Sequence, residues 1–188
     1  MSRSDDVQRI LEGLKEAAEA VRPFTPGDVA YSLKDVRDDP VTAADEAADR
    51  VLKEILPRTG EGWLSEESVD DPIRLECDRV WVVDPIDGTR EFIQGIPEWC
   101  ISIGLVERGV PVAGGIFNPV TDELVLGSLE GGVTLNGVPV VVTEPGLDEE
   151  ITVLASRSEI RRGEWHRFED DRFDVRACGS VAYKLGLV

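Results

Sequence analysis

The chain is short of several residue types, and each shortage excludes something. It holds one histidine, His166, lodged among Arg and Glu, where it reads as a solvent-exposed side chain without a role. Its three cysteines, Cys77, Cys100 and Cys178, lie far apart without metal-ligand spacing, which argues against a disulfide framework. Reduced thiols of this kind suit a cytoplasmic protein. No apolar run approaches membrane-spanning length, and the first residues carry no apolar signal segment. Lysine is confined to Lys15, Lys34, Lys53 and Lys184, and the formal net charge is −18. So acidic a chain repels nucleic-acid polymers and anionic membranes. Neither is expected as a partner.

What is present is globular material. The 188 residues, 41% hydrophobic and 31% charged, can bury a sizeable core. Residues 5–22 carry a helical stripe of Val7, Ile10, Leu11, Leu14, Ala17, Ala18 and Val21, with Ser4 placed to cap it and Pro23 to end it. Residues 23–39 mix Pro, Gly and charge and read as a loop or loose hairpin, in which Lys34 is a solvated side chain. A second helix begins near Thr42 and runs to Pro57, with Thr42 and Asp45 spaced as a capping box. Trp63 to Ser65 is a short strand ending in Glu66 and Glu67, and residues 69–79 form a charged surface loop.

Beyond residue 100 the period changes to that of strands. Residues 101–107, 110–117, 123–128 and 133–142 are strand-like runs separated by turn residues such as Arg108-Gly109, Asn118-Pro119 and Asn136-Gly137. They predict an antiparallel meander. Gly114-Gly115 within one strand predicts a bulge or a close backbone approach. From Ile151, strands at 151–155 and 173–177 alternate with helices at 159–168 and from Gly179 onward. Residues 1–148 are therefore expected to form an N-terminal α+β subdomain and residues 149–188 the start of a C-terminal α/β subdomain.

Residues 80–92 organise the rest. Val80 to Val83 is an apolar, β-branched run with one Trp, short enough to be a buried strand. It ends in Asp84, Pro85, Ile86, Asp87, Gly88 and Thr89. Such a turn can aim two carboxylates and an intervening carbonyl at one point, which suits a hard cation such as Mg²⁺. Gly88 and Thr89 then open a short helix whose first N–H groups would face an anion. These are also ordinary turn residues, and Asp87 could simply cap that helix. A buried strand ending in two acids, however, needs a partner for their charge. The stretch reads as a metal–phosphate site, and bound Mg²⁺ would offset the acidity that otherwise disfavours a phosphate.

The string Trp81-Val-Val-Asp-Pro-Ile-Asp-Gly-Thr89 resembles the metal-binding signature of the inositol monophosphatase superfamily, the lithium-sensitive Mg²⁺-dependent phosphatases. Pro40-Val-Thr-Ala-Ala-Asp45, Leu64-Ser-Glu-Glu-Ser68 and Gly179-Ser-Val-Ala182 are similar to three further motifs of that family. The resemblance implies a layered αβαβα fold of the sugar-phosphatase type. It implies two or three Mg²⁺ ions held by Glu66, Asp84, the Ile86 carbonyl and Asp87. Asp87, Gly88 and Thr89 would bind the phosphate. Asp45 with Thr89, and Glu66 or Glu67, would orient an attacking water without a covalent intermediate. A homodimer is a further implication.

Several alternatives stand beside this reading. Thr89-Arg-Glu-Phe-Ile93 is similar to the branch that hydrolyses adenosine 3′,5′-bisphosphate, whereas Gly95-Ile-Pro97 with Cys100-Ile-Ser-Ile-Gly104 resembles inositol monophosphatases proper, which are favoured slightly. A haloacid-dehalogenase-type Asp nucleophile fits less well, because two residues rather than one separate Asp84 from Asp87. A non-catalytic metal-binding relative is the reading of another class. The resemblance also places a further metal-ligand Asp beyond Val188, so an incomplete chain with reduced activity is expected.

Overall fold

The computed structural model describes residues 2–34, 39–144, 146, 150–168 and 172–188. Helix α1 (Arg3–Val21) starts at Ser2, not at Ser4 as the sequence suggested. The partner decides: Ser2 finds Asp5 three positions on and closes a reciprocal capping box, whereas the corresponding residue for Ser4 is Val7. A hairpin follows, β1 (Tyr31–Lys34) paired antiparallel with β2 (Asp39–Thr42). Helix α2 (Ala43–Ile55) begins on the expected box of Thr42 and Asp45. The apolar faces of both helices, Ile10, Leu14, Ala17 and Val21 with Ala44, Ala48, Leu52 and Leu56, lie on one side of a seven-stranded sheet.

That sheet holds β3 (Glu61–Ser65), β4 (Arg79–Asp87), β5 (Cys100–Glu107), β6 (Val110–Asn118), β7 (Glu123–Ser128), β8 (Gly132–Leu135) and β9 (Val138–Val140), in sequence order. Six-residue α3 (Thr89–Gln94) sits between β4 and β5. From β5 onward the meander is antiparallel as expected; β4 joins it antiparallel to β5, but β3 runs parallel to β4. A single 3-10 turn, Pro72–Glu76, lies in the connection between them, where the sequence read only as loop. Alternation on β4 buries Trp81 and Val83 against the helices and leaves Val82 exposed. Each fully buried Leu, Ile or aromatic side chain here contributes roughly 1.5–3 kcal/mol. Gly115 marks a close approach: a Cβ there would stand 2.6 Å from Leu126 Cδ2 and 2.9 Å from the Val125 carbonyl oxygen.

Charge is buried under this sheet too. Glu61 accepts from Arg9 at 2.7 Å, from Arg79 at 3.0 Å and from the Trp81 indole at 2.9 Å. Arg79 also bonds Asp6 at 2.5 Å, and Arg9 lies over the Trp81 ring. Burial works to raise the Glu61 pKa, but the bonds outweigh it and hold the carboxyl at about 2. This network ties α1, β3 and β4 together.

The C-terminal segment contains β10 (Ile151–Ala155), α4 (Arg157–Arg161), β11 (Phe173–Ala177) and α5 (Val181–Gly186). Strands β10 and β11 pair in parallel, apart from the main sheet. The ten-residue helix expected at 159–168 is instead the short α4 and a 3-10 turn at His166–Phe168, because Gly163, at φ 71°, ends the helical backbone. Cys178 and Tyr183 pack with Cys100 and Ile116 in a second small core. All three cysteines are free thiols. The expected subdomain boundary at residue 148 falls outside the described residues. No helix among the described residues is long and apolar enough to cross a membrane.

Candidate metal and phosphate site

Parallel pairing of β3 and β4 brings both acidic strand ends to one edge. Ser65 stands opposite Val83 in the last pair of that ladder, so Glu66 and Asp84 follow as neighbours, and the Glu66 N–H donates to the Val83 carbonyl at 3.3 Å. Beyond Asp84 the ladder to β5 slips: Asp84 faces Ser102 and Asp87 faces Cys100, so one extra residue is accommodated on β4. Such a bulge re-aims side chains. The backbone therefore stays extended through the acids, where the sequence suggested that the strand ended at Val83.

Glu66, Asp84, Ile86, Asp87, Gly88 and Thr89 all line one cleft of about 540 Å³. Asp84 Oδ1 is buried without a hydrogen-bond partner. Burial, then the charges of Asp87 and Glu66, push the Asp84 pKa up to about 8. The nearby Glu66 carboxyl adds to this rise, so the proton belongs to Asp84. In that arrangement no three His, Cys, Asp or Glu side chains among the described residues stand ready around one ion. The donor set nevertheless fits a hard cation. It is all oxygen, and the orphaned Asp84 oxygen is a buried acceptor that a cation or a proton would satisfy.

Thr89 opens α3 after Gly88, whose φ of 101° is a conformation that glycine tolerates. Its hydroxyl lies 3.1 Å from Asp45 Oδ1 and 3.0 Å from the Ile86 carbonyl oxygen, with one proton for two acceptors. The other oxygen of Asp45 is held by the Thr42 N–H at 2.8 Å and the Thr42 hydroxyl at 2.5 Å. Helix capping thus aims Asp45 at Thr89. Burial raises the Asp45 pKa, and the bonds from Thr42 and Thr89 offset only part of that rise.

The opposite wall comes from the C-terminal segment. Ser180 Oγ donates to Asp87 Oδ2 at 2.6 Å, and the Ala182 N–H donates to the same oxygen at 2.5 Å. Arg157, Arg161 and Lys184 line the cleft from this side, and Arg90 from the other.

A model of the inositol monophosphatase family matches residues 5–188. The chain belongs to that family. An inositol monophosphatase of Mesembryanthemum crystallinum is 32% identical over 80% of this chain and 56% of its own length. The 3′(2′),5′-bisphosphate nucleotidase CysQ of Salmonella typhimurium is 36% identical over 61% of this chain and 48% of its own. The chain thus spans about half the length of these curated relatives. Among solved structures, the inositol monophosphatase (IMPase) of Thermotoga maritima superposes with a TM-score of 0.84 at 26% identity, covering 96% of this chain and 70% of that one.

Of the residues expected from the family signature, the cleft gathers Glu66, Asp84, Ile86, Asp87, Gly88 and Thr89, with Asp45 bonded behind Thr89. Glu67 does not line it; its N–H donates to Ser65 Oγ at 3.3 Å. The Lys34 side chain lies outside the described residues, and His166 is exposed away from the cleft. Sequence reading left out Ser180, Ala182 and the cationic wall. The Gly-Ser-x-Ala segment was visible as a motif, but its contact with Asp87, 93 residues away for Ser180, had no local signal.

Proposed function

We propose that the chain carries the metal- and phosphate-binding machinery of a Mg²⁺-dependent phosphomonoesterase that acts on small phosphate monoesters of the inositol-phosphate type. The supporting observation is the orphaned Asp84 oxygen on the cleft that Glu66, Asp87 and Thr89 also line, with Asp45 bonded behind Thr89. Glu66, Asp84, the Ile86 carbonyl and Asp87 would hold the cations. Bound Mg²⁺ supplies positive charge for the phosphate and acidifies water at neutral pH.

The remaining work falls to the protein. Thr89 donates its proton to Asp45, which leaves hydroxyl lone pairs to accept from a water molecule and orient it toward phosphorus. Gly88 and Thr89 present backbone N–H groups to the phosphate oxygens. Arg90, Arg157, Arg161 and Lys184 bring positive charge to the rim of a strongly acidic chain. The water oxygen would bond phosphorus in line as the ester P–O bond breaks; one proton of that water, exchanged through solvent, ends on the ester oxygen, so that the products are the alcohol and inorganic phosphate.

The same four cations favour a second reading, hydrolysis of a nucleoside bisphosphate, which the CysQ relative also supports. Phosphate release from inositol 1-phosphate and adenosine 3′,5′-bisphosphate, assayed in parallel against Mg²⁺, separates the two. Mg²⁺-dependent release, faster from the inositol ester and lowered at least ~100-fold by Thr89→Ala or Asp45→Asn, is expected. Faster release from the bisphosphate selects the second reading. Release that ignores Mg²⁺ contradicts both.

A further inference from the structure

Glu98 has no part in the chemistry above, yet it joins the two walls of the cleft. Its Oε2 accepts from Arg157 Nη1 at 2.5 Å and from the Gly179 N–H at 2.6 Å. Glu91 adds a looser contact to Arg157 at 3.6 Å. The Glu98 and Arg157 side chains are 24% and 32% exposed, and an ion pair so placed contributes little by itself. What sets it apart is the backbone that it grips.

The residue after Gly179 is strained. Ser180 has φ 55° and ψ 129°, in the left-handed half of backbone space that side-chain-bearing residues rarely occupy. Such a conformation persists only where its surroundings fix it. On one side the Glu98 carboxylate holds the preceding amide. On the other, Ser180 Oγ and the Ala182 N–H both end on Asp87 Oδ2, while Ser180 Oγ accepts from the Tyr183 N–H at 3.0 Å. Space is tight as well: a Cβ on Gly88 would stand 3.1 Å from the Glu98 carbonyl oxygen and 3.2 Å from Ser180 Cβ.

We propose that Glu98, anchored by Arg157, is a positioning residue for Asp87. It fixes the Gly179 amide, which holds Ser180 in the strained conformation from which Ser180 and Ala182 orient the Asp87 carboxylate for a divalent cation. The inference rests on the assignment of Asp87 as a cation ligand. Mn²⁺ is the probe, titrated calorimetrically into the full chain and its Glu98→Ala, Glu98→Gln and Ser180→Ala variants and the Glu98→Ala/Ser180→Ala double variant.

Glu98→Ala and Ser180→Ala should each weaken Mn²⁺ binding about tenfold, and the double variant should be no weaker than the poorer single one. Glu98→Gln should recover part of the affinity, because its amide oxygen can still accept from Gly179. Without Mn²⁺, the Ala182 amide should exchange with solvent about tenfold faster in Glu98→Ala than in the unaltered chain. Additive losses, or unchanged Ala182 exchange, would overturn the positioning role. Mn²⁺ binding by the unaltered chain with equal binding by Glu98→Ala would sink this inference alone. No Mn²⁺ binding by the unaltered chain would remove the assignment of Asp87, and this inference with it.

Discussion

Replacing Asp84 with asparagine should make the chain more stable without divalent cations and deaf to them when they are added. Burial and the neighbouring charges of Asp87 and Glu66 push the Asp84 pKa up from 3.8 to about 8. Between those values the folded chain keeps a proton that the unfolded chain has released. The stabilising contribution of that proton is therefore complete below pH 3.8 and is lost as pH rises through about 8. At about 1.36 kcal/mol per unit, the loss by pH 7 has an upper limit of roughly 4 kcal/mol. Relaxation and water around a half-open cleft reduce this, and about 2 kcal/mol is expected. For a chain of this size that is about 4–8 °C in Tm. Mg²⁺ at a hundred times its Kd should return about 2.7 kcal/mol to the unaltered chain and nothing to Asp84→Asn. Thermal unfolding followed by circular dichroism at pH 7, with and without Mg²⁺, reads both effects. An Asn variant that melts below the unaltered chain without Mg²⁺, or that gains as much from the ion, would refute the reasoning.

Three other perturbations address different layers. Glu61→Gln should cost about 3–5 kcal/mol at pH 7 by leaving Arg9 and Arg79 short of a buried partner, measured by urea unfolding. Because Glu61 is held at about 2, its contribution is complete above pH 4.5 and is lost as pH falls through about 2, so the Gln variant should flatten that acid limb of the stability curve. Gly115→Ala should lower stability by about 1–3 kcal/mol, since the added methyl group meets backbone as well as Leu126; an unchanged urea midpoint would show slack in β6 and β7. Asp49 accepts from both Ser65 and Ser68 at 2.5 Å, on either side of Glu66 and Glu67, so Asp49→Ala should weaken Mg²⁺ binding about tenfold by loosening that loop, as read by calorimetry.

What could be read from the sequence was local. Thr42 and Asp45 form their capping box within one helical turn, and Asp84 to Thr89 combine a strand end with turn chemistry inside six residues. The start of α1 was misread by two residues because Ser2 and Ser4 are equally good caps until the residue three positions on is compared. Pairings between distant segments left no such trace. Nothing in the run from Glu61 to Ser65 says that it lies parallel to β4, although that pairing puts Glu66 beside Asp84. Asp6, Arg9 and Glu61 look like solvated charges in sequence, and only the fold makes them one buried network. The contact of Ser180 and Ala182 with Asp87 is of the same distant kind.

The central claim is that a divalent cation takes the place of the proton that Asp84 keeps at neutral pH. Calorimetric titration of Mg²⁺ at pH 7, in two buffers with different heats of ionisation, tests it most directly, because proton release appears as a buffer-dependent heat. The account predicts saturable binding that expels close to one proton per chain, with both binding and release lost in Asp84→Asn. Binding without proton release, or binding that survives Asp84→Asn unchanged, would contradict it.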